Sequence, residues 1–337
     1  MIGARAYGFA EQKALARQPI VCRDLVSVQD FSVDEIKWLF QLTRILKKKP
    51  AEFRNALAGK QIVLFFEKAS LRTRLTFEAG MVSMGGTAVF VDQTHCRLDE
   101  RESLCDVAHN VERWVNAVVL RTFEHQTVVE MARHASIPVI NALSNLEHPC
   151  QAFADFFTLQ EKFGDLHQVR LAYVGDGNNV AHSLMLAGAS VGAKVSIATP
   201  AGYAPKAEIT EAALAIAAQT GGEIEIMQDP GQAVAGADAV YTDVWTSMGQ
   251  EDEAAERKEI FAPYQVNEAL MAQAAPRAVF MHCLPAHRGE EVAAAVIDSP
   301  RAVVFDQAEN RMHAQKAILL LLMGGDTRRS PSRSHHA

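Results

Sequence analysis

The chain has no long uncharged hydrophobic run, although 49% of its 337 residues are apolar. It has the material for a sizeable core and none for a helix across a bilayer. Near the start, Arg5, Glu11 and Lys13 are scattered where an export leader would keep an apolar stretch, so no such signal is expected. Cysteine is scarce and unpatterned: Cys22, Cys96, Cys105, Cys150 and Cys283 are odd in number and never spaced C-x-x-C. That spacing argues against a disulfide framework or a zinc site and fits reduced thiols in the cytoplasm. An excess of positive charge is also missing. With 33 Lys and Arg against 40 Asp and Glu, the formal charge is −7, which excludes a globally basic nucleic-acid binder. There is no repeat of fixed period and no low-complexity linker.

What is present is an alternation of strand-like and helical patterns from end to end. Strands are expected at Gln61–Phe66, Thr87–Val91, Ala117–Leu120 and Pro138–Ile140 in the first half. The second half adds Arg170–Val174, Lys194–Ala198, Glu223–Ile226, Ala239–Thr242, Ala278–Met281 and Ala302–Phe305. Strands alternating with helices predict an α/β protein with parallel sheets flanked by helices, and the length predicts two domains. The expected division is an extension over 1–20, a first domain over 21–150, a second over 151–305, a helix over 306–326 returning to the first domain, and a polar tail over 327–337. The boundary falls within a helix expected from Pro149 to Lys162.

Four clusters carry groups that bind anions or move protons, each where one element gives way to the next. The first, Ser70-Leu71-Arg72-Thr73-Arg74, opens a helix after the strand Gln61–Phe66. A helix N-terminus offers free N–H groups and a positive dipole end. Arginines there are unfavourable unless something negative faces them. Ser70, Thr73, Arg72 and Arg74 would together suit a phosphate dianion; the plain alternative is a serine cap beside two solvated arginines. The second cluster, His148-Pro149-Cys150-Gln151, begins the next helix with a first-turn proline. His148 can donate to a carbonyl oxygen gaining charge, Gln151 can contact an amide, and Arg121 ends the strand alongside. A His-Pro cap without chemistry is the alternative.

The third cluster, Asp243-Val244-Trp245-Thr246-Ser247-Met248-Gly249, follows a strand, with a carboxylate placed to face an ammonium group. The fourth is His282-Cys283-Leu284-Pro285. A lone cysteine such as Cys283 is most often a small buried hydrophobe. A glycine turn, Gly175-Asp176-Gly177-Asn178-Asn179, invites a dinucleotide reading. The third glycine of that fingerprint is missing, and Thr199-Pro200 stands where a ribose would want an acid.

The four clusters in this order resemble the transcarbamoylase family, and the Ser-Met-Gly loop resembles its ornithine-using branch. The resemblance runs from about Leu25 to Leu322. It implies a carbamoyl-phosphate-binding first domain and an ornithine-binding second domain. It also implies transfer of the carbamoyl group to the δ-amino group of L-ornithine, giving L-citrulline and phosphate. By resemblance, Arg121, His148 and Gln151 hold the carbamoyl group and the Leu284 carbonyl accepts from its NH₂. Arg311 joins Ser70, Arg72, Thr73 and Arg74 on carbamoyl phosphate. Asn179, Asp243, Ser247 and Met248 meet ornithine, and Cys283 beside Asp243 positions and deprotonates the amine. Arg97 lies in a loop that, in the family, reaches a neighbouring subunit's carbamoyl phosphate site. Homotrimers or multiples of trimers are implied, with no metal or organic cofactor. The family's usual Ser-Thr-Arg-Thr-Arg has Leu71 here, which removes one hydroxyl. N-acetylornithine or putrescine as acceptor, an NAD-dependent oxidoreductase, and a catalytically silent paralogue are the rival readings.

Overall fold

A continuous run of Ile, Val, Leu and two Phe makes Gln61–Phe66 a strand (β1) buried at every position but its first. In the computed structural model, which describes residues 21–93, 98–247, 249 and 251–324, β1 organises a sheet with β2 (Thr87–Asp92), β3 (Ala117–Arg121) and β4 (Val139–Leu143). The order is β2-β1-β3-β4, all parallel. A second parallel sheet, in the order β7-β6-β5-β8-β9, is built from β5 (Arg170–Val174), β6 (Lys194–Ala198), β7 (Glu223–Met227), β8 (Ala239–Tyr241) and β9 (Val279–Met281). The helices are α1 (Val33–Lys48), α2 (Leu71–Ser83), α3 (Leu104–Val111), α4 (His125–His134), α5 (Pro149–Phe163), α6 (Asn179–Ser190) and α7 (Ala207–Thr220). They continue with α8 (Pro230–Val234), α9 (Ala254–Phe261), α10 (Glu268–Met271), α11 (Ala294–Ile297) and α12 (Val304–Gly324).

Both sheets reverse strand order once, and ligand clefts form outside the strand C-termini at such points. In the first sheet the reversal lies between β1 and β3, whose ends carry Ser70–Arg74 and Arg121. In the second it lies between β5 and β8, whose ends carry Gly175–Asn179 and Asp243. Helix α5 joins the two halves and is buried from Pro149 to Leu159. Phe31 stacks on Phe153 at 5.7 Å and Phe40 meets Phe157 at 6.1 Å. Each such ring contributes about 1.5–3 kcal/mol by leaving water, so the first half and the connecting helix share one core. Helix α12 returns from the second half to pack on α5, α1 and α2.

One expected strand is absent. Ala302 makes a single bridge to Phe280, and the backbone of Val303 bonds Phe280 before α12 begins at Val304. Phe305 then points outward, 75% exposed. The short apolar run reads as a strand locally, but its second half starts a helix whose buried face comes later in the chain. Of the site candidates, Arg97 and Met248 lie outside the described residues, as do the segments 1–20 and 327–337.

Candidate active site

The strand ends of the two sheets face each other across a cavity of about 820 Å³. On the first side, Ser70 caps α2: its Oγ accepts from the Thr73 N–H at 3.2 Å and donates to Thr73 Oγ1 at 2.8 Å. Arg72, Arg121 and Arg311 all line the cavity. A register shift between Leu120 and Arg121 at the end of β3 re-aims Arg121, whose Nε donates to the Lys68 carbonyl at 3.2 Å. Arg311, from α12, donates to Thr73 Oγ1 at 2.6 Å. Among the described residues, none of the three has a carboxylate within ion-pair distance. Burial, then the charges of Arg311 and Arg72, pushes Arg121 down to about 9. Burial also lowers Arg72 and Arg311. The Nε groups of Arg72 and Arg311 are buried without acceptors. Three converging cations without anions are costly to hold unless a polyanion completes the site.

His148 ends the loop before α5. Its backbone N–H donates to Ser183 Oγ at 2.8 Å, which ties it to the second half. Its Nε2 lies 3.3 Å from an Arg311 nitrogen that can only donate, so Nε2 accepts and the ring proton sits on Nδ1. Burial, then Arg311 and Arg121, lowers its pKa well below the usual value. His148 is therefore a neutral imidazole with an unpartnered, buried Nδ1.

On the second side, Tyr241 pairs with Met281 in the parallel register of β8 and β9, so Asp243 and Cys283 emerge side by side. Cys283 Sγ donates to Asp243 Oδ1 at 3.1 Å, and Asn178 Nδ2 donates to Oδ2 at 3.0 Å. Asn178 Oδ1 caps α6 by accepting from Val180 and Ala181, which fixes that amide's orientation. Burial, then Asp243, pushes the Cys283 thiol well above its usual range, so it remains protonated. Asn179 donates to the Ser144 carbonyl at 2.7 Å across the cleft. Leu284 adopts a left-handed conformation (φ 60°), unusual for a residue with a side chain, and its N–H donates to His282 Nδ1 at 2.9 Å. Such held backbone clusters at functional sites. Arg257 forms an ion pair with Asp176 and donates to the Trp245 carbonyl at 2.6 Å, pinning the start of the 245–249 loop.

Ser70, Arg72, Arg121, His148, Asn179, Asp243, Ser247, Cys283, Leu284 and Arg311 thus share one cavity. Thr73 is buried behind it, under Arg311. Gln151 is buried one turn beyond His148 and donates to Asp155. Arg74 turns away: it pairs with Glu78 at 3.1 Å and stacks over Phe90 at 3.8 Å, because two residues along a helix it faces another side. Sequence reasoning missed Lys68, Asn178, Asp155, Ser183 and Arg257. The Asn178–Asn179 pair at a helix start was the available signal for Asn178.

Two groups have metal-ligand composition: Asp243, His282 and Cys283, and His287, Glu290 and Glu291. In the first, the thiol donates to Asp243 and His282 Nδ1 accepts from Leu284, so these atoms already have partners. In the second, Lys258 pairs with Glu290 at 3.2 Å.

Two parallel sheets, one presenting unpaired arginines and the other a carboxylate–thiol pair across the same cleft, define an α/β transferase that joins an anionic donor to a second substrate. The carbamoyl-P binding domain of aspartate/ornithine carbamoyltransferase matches residues 23–161, and its Asp/Orn binding domain matches residues 167–322. The chain belongs to the aspartate/ornithine carbamoyltransferase family. It is 48% identical over 305 residues to the ornithine carbamoyltransferase of Thermococcus kodakarensis, covering 90% of this chain and 97% of that protein. With that of Symbiobacterium thermophilum it shares 52% identity over 303 residues, covering 89% and 98%. The solved ornithine carbamoyltransferase of Pyrococcus furiosus superposes with a TM-score of 0.87 at 49% identity, covering 90% of this chain and 97% of that one.

Proposed function

We propose that this chain transfers the carbamoyl group of carbamoyl phosphate to the δ-amino group of L-ornithine, giving L-citrulline and phosphate. The observation that carries the reading is the set of Arg72, Arg121 and Arg311, without carboxylate partners, opposite the hydrogen-bonded Asp243–Cys283 pair. The N-terminal turn of α2 with Ser70, Arg72 and Arg311 holds the phosphate, and Thr73 orients Arg311 from behind. Arg121 and the ring N–H of His148 stabilise the carbonyl oxygen as it gains charge; a neutral imidazole donates there without giving up its proton. Gln151 and the Leu284 carbonyl accept from the carbamoyl NH₂. Asp243 meets the α-ammonium of ornithine, with Asn179 and the 245–249 loop, including Ser247 and Met248, on the rest of the amino acid. Cys283 sits beside the attacking amine. Its proton donation to Asp243 makes it a positioning group rather than a nucleophile. The neutral amine attacks the carbonyl carbon, a tetrahedral intermediate forms, and phosphate leaves. Positioning and electrostatic preorganisation supply most of the rate.

The division of labour follows the two sheets: residues 21–150 take carbamoyl phosphate, 151–305 take ornithine, and helix α12 (Val304–Gly324) brings Arg311 to the first half. Leu71, Leu75 and Val82 on α2 and Val89 on the edge strand β2 are exposed apolar residues, which supports homotrimer assembly through that face. No helix among the described residues is long and apolar enough to cross a membrane, in keeping with a cytoplasmic enzyme of arginine metabolism. The test is citrulline formation with L-ornithine, N-acetylornithine and putrescine offered separately. Ornithine should be used at least about a hundredfold more efficiently than either, because N-acetylornithine leaves a buried carboxylate without its ammonium partner and putrescine leaves the groups facing the α-carboxylate unpaired. Equal use of N-acetylornithine would overturn the assignment of Asp243.

A further inference from the structure

Asp155 lies on α5 one turn beyond Gln151 and has no exposed surface. Three side chains from three elements donate to it. Gln151 Nε2 reaches Oδ1 at 2.8 Å, Gln307 Nε2 from α12 reaches the same oxygen at 2.9 Å, and the Tyr241 hydroxyl from β8 reaches Oδ2 at 3.0 Å. Burial pushes the Asp155 carboxyl up to about 6, while the bonds from Gln307, Gln151 and Tyr241 hold it down; it is mostly ionised at neutral pH. An ionised carboxylate can only accept, so it dictates which end of each neighbouring amide faces it. For Gln307 the consequence is visible: its Oε1 turns away and accepts from the His282 N–H at 3.0 Å. For Gln151 the same choice leaves Oε1 as the free end of the amide, buried and without a donor, one turn of helix from His148.

We propose that Asp155 is a positioning residue that locks Gln151 as an acceptor for the carbamoyl NH₂, and that this lock lets the site tell a carbamoyl from an acetyl group. The inference rests on the placement of carbamoyl phosphate given above. An NH₂ and a methyl group have nearly the same size, and the donors on the carbonyl oxygen and the phosphate treat both alike. Only acceptors aimed at the nitrogen separate them, and a buried acceptor facing a methyl group is left unpaired. Were Gln151 free to turn over, its own NH₂ would face the substrate and the distinction would rest on the Leu284 carbonyl alone. The same carboxylate also holds Tyr241, two residues before Asp243. Through Gln307 it holds the N–H of His282, next to Cys283.

The experiment compares dissociation constants, by calorimetry, of phosphonoacetamide, of its methyl counterpart 2-oxopropylphosphonate and of inorganic phosphate. The wild type should prefer the amide. Asp155→Leu should lose about tenfold or more of that preference while phosphate affinity stays within about threefold, since Asp155 makes no hydrogen bond to the groups placed on the phosphate. Asp155→Asn should keep the preference, because its Oδ1 can receive both glutamines while its Nδ2 faces the Tyr241 oxygen. A residue needed only for packing would weaken all three ligands together, and that result overturns the proposal. Gln151→Leu separates the two levels. If it keeps the preference, the placement of the carbamoyl group on Gln151 is wrong. If it loses the preference while Asp155→Leu keeps it, the role of Asp155 alone is wrong. Should Asp155→Leu not fold, neutron diffraction of the wild type with phosphonoacetamide decides. Deuterons on the Gln151 nitrogen facing Asp155 are expected, and deuterons facing the ligand would refute the lock.

Discussion

Cys283 and Asp243 sit 3.1 Å apart, Sγ to Oδ1, because they lie two residues past a paired position on adjacent parallel strands. Side by side at a strand-end cleft, they stand where the proposed reaction brings in the amine of the second substrate.

Replacing Asp243 by Asn should weaken ornithine binding and slow transfer while leaving carbamoyl phosphate binding nearly intact. The charge complement of the ammonium is lost, whereas the arginines line the opposite side of the cleft. Separate titration of the two ligands checks this, and equal weakening of both would contradict the division between sheets.

Arg72→Ala should lower carbamoyl phosphate affinity with little change in melting temperature. The lost charge-assisted bonds are worth about 2–3 kcal/mol, or roughly 30- to 160-fold in affinity. Unchanged affinity in the folded variant would remove Arg72 from the phosphate site.

The raised pKa of the Cys283 thiol makes it a poor nucleophile. At mildly alkaline pH it should react with iodoacetamide more slowly than a cysteine in an unstructured peptide. Mass spectrometry of the peptide spanning 279–288 follows the rate, and peptide-like labelling would mean that the thiol ionises readily in the site.

Glu147 is fully buried beside His148 and accepts from the Val28 N–H at 2.9 Å; burial raises its pKa from 4.5 to about 7. A carboxyl that binds its proton more tightly when folded contributes stability at low pH, and this is lost as pH rises from about 4.5 to 7. Glu147→Gln keeps an acceptor for Val28 and carries no charge. It should therefore be more stable than wild type at pH 7.5, by roughly 2–3 kcal/mol, with the gap closing near pH 4. Asp155 shifts in the same direction and His148 in the other, but both are common to the two proteins and cancel in the difference. Denaturant unfolding of both across this range is the measurement, and a gap independent of pH would rule out the linkage.

Arg97 tests assembly. If it completes a neighbouring subunit's carbamoyl phosphate site, inactive Arg97→Ala and Arg72→Ala proteins should recover activity when mixed, through hybrid trimers with one intact composite site. Absence of recovery after subunit exchange is seen by native mass spectrometry would make Arg97 an ordinary surface residue.

Much of the architecture was legible because its signals are local. The β1 pattern, the serine cap at Ser70 and the proline at the first turn of α5 announce strand, helix start and helix start within a few residues each. The clusters at 70–74, 148–151, 243–249 and 282–285 could likewise be picked out as strand ends with chemistry, and their order resembled one family. Ala302–Phe305 misled for the same reason: a four-residue apolar run does not say whether a strand or a helix claims it.

The chain sequence by itself determined which residues have the right chemistry and which local element each one starts or ends. Tertiary structure alone decided which of them meet. Arg311 reaches Thr73 across 238 positions, and Asp155 gathers Tyr241 and Gln307 from separate elements. Arg74, alike in type to Arg72, faces Glu78 and Phe90 instead. Such meetings depend on sheet order, crossover direction and helix phase, which are set by burying one continuous apolar core. No short stretch of the chain contains that information.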